Sequence, residues 1–102
     1  VSKRPLDLHY AREKLGLAVQ SLDDQELRRE LGIRRLLAEA FLAYLQRIGD
    51  ATPPRALRRE WSAVFDVDGA IDELSGLQLE RLEKAIRALA AAVEAAVRRG
   101  QA

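Results

Sequence analysis

Apolar positions in this chain recur at helical spacing in four stretches, and no stretch alternates convincingly in the manner of a half-buried strand. Leu8, Ala11, Leu15, Ala18 and Leu22 fall three to four residues apart after Pro5, which predicts a helix over residues 7–20. Asp7 stands where a carboxylate accepts from the free N–H groups of a first turn. Gly16 lies inside this stripe and reads as a point of close approach by another helix.

A longer stripe opens at Ser21, where Ser21-Leu22-Asp23-Asp24 is a variant of the capping box. Leu27, Leu31, Leu36 or Leu37, Ala40, Phe41, Tyr44, Leu45 and Ile48 follow, predicting a helix over residues 23–48. Gly49 fits the left-handed position that ends a helix, with Pro53 beyond it. Gly32 is the candidate break, since glycine costs about 1 kcal/mol against alanine inside a helix. The spacing alone favours the unbroken rod.

Thr52 as cap, with Pro53 and Pro54 in a first turn that needs no N–H from them, predicts a third helix over residues 53–66. Its apolar face is Leu57, Trp61, Val64 and Phe65, and a turn follows at Asp66 to Gly69, with at most one helical turn before Leu74. Ser75-Gly76-Leu77-Gln78 matches the S-x-x-Q capping box and opens a fourth helix over residues 76–99, closed by Gly100. Its seam of Leu79, Leu82, Ile86, Leu89, Val93 and Ala96 has heptad spacing. The expected fold is all-α: a single domain over residues 1–102, an antiparallel bundle of about four helices, two short and two long.

Composition narrows the function more than it names it. There are 17 basic and 16 acidic side chains, a net charge of +1, so there is no global basic field for nucleic acid or anionic lipid. The absence of cysteine excludes disulfide scaffolds, thiolate metal sites and cysteine nucleophiles, and a single histidine excludes a multi-histidine metal site. The longest wholly apolar run, Ala88 to Val93, is far short of the roughly 20 residues of a bilayer span. Asp7, His9, Arg12 and Glu13 interrupt any signal-peptide core near the start. A soluble cytoplasmic protein is expected. The 14 Arg against 3 Lys, with abundant Ala, fit the coding bias of a GC-rich bacterial genome, and Val1 fits a GTG start or a trimmed chain.

Little of the chain resembles catalytic chemistry. Asp66, Asp68 and Asp72 around Gly69 match part of a calcium loop, but Val64 and Ser75 occupy its first and last ligand positions. They read better as an acidic turn whose carboxylates accept local N–H bonds. His9 and Glu13 share a helix face, yet no nucleophile motif or glycine-rich phosphate cradle accompanies them. No enzyme activity, cofactor, metal or small-molecule substrate is expected. Many charges stand as acid-first pairs one helical turn apart: Asp24–Arg28, Glu30–Arg34, Glu80–Lys84, Glu83–Arg87 and Glu94–Arg98.

Two surfaces remain. Arg55, Arg58 and Arg59 have Glu60 as their only immediate counter-charge and sit at a helix start, where the dipole disfavours them. With Arg34 and Arg35 of a cluster that also holds Arg28 and Arg29, and with Lys3 and Arg4, they are candidates for contact with phosphate or an acidic partner. The scattered aromatics give no support for base stacking. The other surface is the alanine-rich end of the fourth helix. The shorter helices are expected to leave the seam around Val93, Ala96 and Val97 partly open, which makes Leu89, Val93, Ala96 and Val97 candidates for contact with a partner or a second copy. The expected function is a protein–protein interaction or regulatory module, self-associating through the C-terminal helix. The alternative is a nucleic-acid-associated regulator.

Overall fold

The structure, a computed structural model, describes residues 4–67 and 69–100; Val1, Lys3 and Asp68 lie outside the described residues. Helix α1 spans Leu8–Asp23. Its start is as expected: the Asp7 carboxylate accepts from the backbone N–H of His9 at 3.0 Å and of Tyr10 at 3.2 Å. Its end is later than residue 20, because Leu22 is wholly buried with Leu15 and Ala18, and a break at Ser21 would take that leucine off the core stripe. Asp24, not Ser21, is the hinge. It closes α1, and its carboxylate accepts from Glu26 and Leu27, each at 3.1 Å, to open α2, Gln25–Ala40.

Helix α2 is broken at Gly32, where φ is +77° and ψ is 162°, backbone that is essentially glycine-only. The unbroken rod is therefore corrected, and the reason lies in phase. Three and four residues after Leu31 come Arg34 and Arg35, which a continuous helix would turn toward the core. The break resets the phase so that Leu36, Leu37 and Ala40 are buried instead.

Beyond α2 the helix widens into a π-type stretch, Phe41–Leu45, and ends in the short α3, Gln46–Ile48. The wide turn places Leu45 and Ile48 in the core and leaves Leu42 74% exposed. Gly49 is right-handed, with φ −61°, and not the left-handed terminator expected. Its missing side chain makes room for Phe65, whose ring lies 3.0 Å from where a Cβ would stand.

Thr52 is not a helix cap. Its carbonyl accepts from Leu6 N–H at 2.9 Å and its N–H donates to the Arg4 carbonyl at 2.8 Å, an isolated parallel bridge that ties the N-terminal segment down. Residues before proline are pushed out of the helical region, and both Thr52 and Pro53 precede one. The third helix accordingly starts late, with a 3₁₀ turn at Arg55–Leu57 and then α4, Arg58–Phe65. A turn through Gly69, φ +93°, leads to a second 3₁₀ turn, Ile71–Glu73. Helix α5, Gly76–Arg98, opens on the predicted reciprocal cap: Gln78 N–H to Ser75 Oγ at 3.2 Å and Ser75 N–H to Gln78 Oε1 at 2.8 Å.

The helices pack around α5. All six seam residues from Leu79 to Ala96 are buried in one core with Leu15, Leu37, Ile48, Trp61 and Leu74 among others, and no described polar side chain is buried with them. Helix α1 runs antiparallel to α5, because Arg12 pairs with Glu94 while Asp23 pairs with Arg87. At about 1.5 Å per residue, the 23 residues of α5 come close to the 38 Å long axis of the molecule. The two shorter helices share this length: α1 lies along the C-terminal part, and the end of α4 meets α5 near Leu82.

Candidate functional site

That arrangement overturns the expectation of an open C-terminal seam. Leu89 and Val93 are 0% exposed and Ala96 is 1%, with Val97 half-buried beside them. Leu89, Val93 and Ala96 offer no surface to a partner in this fold. The small residues do leave a shallow groove on the outer side of the α1–α5 contact, lined by Gly16, Ala90 and Ala91 among others. Gly16 is not a point of close packing, because nothing stands within 4 Å of where its Cβ would be.

The arginines divide into engaged and free. Arg34 donates to the Ile71 carbonyl at 2.6 Å and so holds the loop before α5. Arg35 lies 3.8 Å from Glu39 at the surface. Arg55, Arg58 and Arg59 are exposed and form no ion pair among the described residues. Glu60 does not neutralise them: its Oε2 is buried without a hydrogen-bond partner.

A smaller set of charges builds a clamp between helices. The predicted pairs Glu83–Arg87 and Glu94–Arg98 form at 2.9 and 3.2 Å. Glu83 also receives both Arg28 guanidinium nitrogens, at 3.1 and 3.2 Å, and Arg28 donates to the Leu22 carbonyl at 2.9 Å. Arg28 therefore turns away from Asp24, its expected partner, which caps α2 instead. Partial burial pushes the Glu83 carboxyl up, but the hydrogen bonds and charges of Arg28 and Arg87 outweigh it and leave the group below its ordinary value. Hydrogen bonds to Asp23 and Glu83, with their charges, raise Arg87 further above its usual range. This network ties α1, α2 and α5 together, and Arg87 also lines the shallow α1–α5 groove with Arg12 and Glu94.

A shallow hollow on α1 does bring His9 and Glu13 together, as their spacing predicts, but its lining contains no serine, threonine or cysteine. Among the described residues, no three His, Asp or Glu side chains converge at metal-binding spacing.

An opening lined only by apolar residues and glycine lies at the end of the bundle where the π-type stretch, α4, residues 69–74 and α5 meet. Phe41, Val64, Phe65, Val67, Ile71, Leu74 and Leu82 line it, with Gly69 and Ala70, around a volume of about 250 Å³. Phe41 meets Phe65 edge-on at 6.1 Å between ring centres, and Trp61 backs Phe65 at 4.5 Å. Of the exposed large apolar residues, Val67 lines the cleft, while Leu42 and Leu77 are not part of its lining. The sequence pattern places Phe41, Val64, Phe65 and Leu82 on core faces and Val67 in a turn. The overlooked signal was Val67 and Ile71, two branched apolar residues within an otherwise acidic turn.

No helix among the described residues is long and apolar enough to cross a membrane. No protein family, curated protein or solved structure matches the chain.

Proposed function

We propose that the protein is a small cytoplasmic protein-interaction module that docks a partner at the apolar cleft between Phe41, α4, residues 66–74 and the start of α5. The observation that carries this reading is a concave opening lined only by apolar residues and glycine, with Val67 at its wall 37% exposed. Contiguous apolar surface open to solvent is what partners cover. The volume of about 250 Å³ is below the roughly 300–1,000 Å³ of small-molecule sites and suits a side chain of a partner better than a cofactor. The π-type turn that presents Phe41 is a second support, since such turns are frequent at functional sites. Self-association through Leu89, Val93 and Ala96 has lost its surface to the core.

The test is site-specific photo-crosslinking of the full chain in its own cells. A photoreactive phenylalanine in place of Val67 is expected to give a discrete protein adduct, which Ala70→Glu, at the cleft edge, abolishes. The same probe at Arg98, about 24 Å along α5 from Leu82, is expected to give none. Equal adducts from both positions, no adduct from Val67, or an adduct indifferent to Ala70→Glu would contradict the reading.

A nucleic-acid-associated role is the second reading, favoured by the exposure of Arg55, Arg58 and Arg59 without ion-pair partners among the described residues. It requires salt-sensitive retention of duplex DNA that the triple substitution of these arginines by Glu abolishes. No retention at low ionic strength removes it.

A further inference from the structure

Acidic residues interleave with the lining of the cleft. Asp66 stands between Phe65 and Val67, and Asp72 and Glu73 stand between Ile71 and Leu74. All three are exposed, and among the described residues none forms an ion pair. Glu73 is drawn to the cleft edge: its Oε2 lies 3.5 Å from where a Cβ of Gly69 would be. Residues 65–77 include no Lys or Arg. The cation that reaches this segment from α2, Arg34, is half-buried and already bonded to the Ile71 carbonyl.

An apolar cleft with three acids and, among the described residues, no free cation on one of its walls selects its occupant twice. Apolar contact supplies the anchor, and the acids favour cationic flanks while like charge rejects acidic ones. Resting on the protein-interaction reading above, we infer that the docking segment is a basic amphipathic one: an apolar side chain seated in the cleft, flanked by Lys or Arg that meet Asp66, Asp72 and Glu73. An amphipathic helix, with apolar anchors one turn apart and its charges to either side, has this form.

Trp61 reports on the cleft through Phe65. It is the sole tryptophan, 6% exposed, and its ring lies 4.5 Å from that of Phe65. The probes are two tryptophan-free, alanine-based helical peptides with two leucines one turn apart, one flanked by Lys and the other by Glu. Added to the full chain, the Lys peptide is expected to change Trp61 emission saturably. The Glu peptide is expected to bind at least about tenfold more weakly, and the difference should fade as salt shortens the screening length to about 3 Å. The variant Asp66→Lys/Asp72→Lys/Glu73→Lys, checked for helicity by circular dichroism, is expected to reverse the preference.

Equal binding of the two peptides, or a preference that survives the charge reversal, overturns the inference. So does a Trp61 signal that grows with protein concentration alone and disappears in both Val67→Asp and Arg55→Glu/Arg58→Glu/Arg59→Glu, because a second copy then fills the cleft. Failure of both peptides while the Val67 adduct persists rejects the basic occupant and leaves the interaction reading standing; absence of the adduct as well rejects both.

Discussion

Gly16 and Gly32 separate two uses of the same residue. Gly16 has ordinary helical backbone, faces solvent, and has nothing within 4 Å of a would-be Cβ. Gly16→Ala is therefore expected to stabilise the fold by about 0.5–1 kcal/mol, through helix propensity and a less free unfolded chain. Gly32 has equally open surroundings, but its φ of +77° with ψ of 162° is backbone a side chain resists. Gly32→Ala is expected to destabilise by about 1–3 kcal/mol. Urea titration of the two variants checks both signs, and equal effects would mean that the break at Gly32 is not fixed by its backbone. At Glu83 the prediction is one of pH. Its pKa is lowered on folding, so its contribution is present in full above the ordinary value near 4.5 and is lost as pH falls through the lowered one. Melting temperature against pH should fall on the acid side, and Glu83→Gln should flatten that limb while lowering stability at neutral pH.

Among the elements, α5 was the most legible and α2 the least. The reciprocal cap at Ser75 and Gln78 and the six-residue seam were written at fixed offsets in the chain; the cap forms as expected, and the seam is buried to its end, including the part expected to stay open. What spacing could not convey was which elements cover the seam. That depends on the antiparallel offset of α1, set by contacts distant in sequence such as Arg12–Glu94 and Asp23–Arg87. In α2, apolar residues could be counted through Gly32, but Arg34 and Arg35 at the phase that should be apolar marked the break. The late start of α4 was likewise readable in Thr52 and Pro53, each followed by proline. Since α5 is covered within one chain, Leu89→Ala should cost about 2–5 kcal/mol, by lost burial and the cavity left behind. That loss should be the same at every protein concentration; a loss that shrinks as the protein is concentrated would instead place Leu89 in an interface between copies.

At the scale of the whole molecule, nearly balanced charge resolves into separate regions. One is the Arg12, Arg28 and Arg87 clamp that joins helices. The second is the entry to α4, with Arg55, Arg58 and Arg59, which was legible because it broke a local preference. The third is the acidic segment after α4, which sequence presented as a turn and folding makes one wall of an apolar cleft. The cleft itself could not be read from the chain, because its walls come from Phe41, Phe65 and Leu82, residues of separate elements whose local patterns all say core. The measurement that tests the central claim most directly is amide NMR of the full chain titrated with the Lys-flanked peptide. Shifts confined to Phe41, residues 64–74, Leu82 and the Trp61 indole, with Gly16, Ala90 and Ala91 unmoved, are the predicted result. Shifts centred on the α1–α5 groove or on Arg55 to Arg59, with the cleft silent, would contradict it.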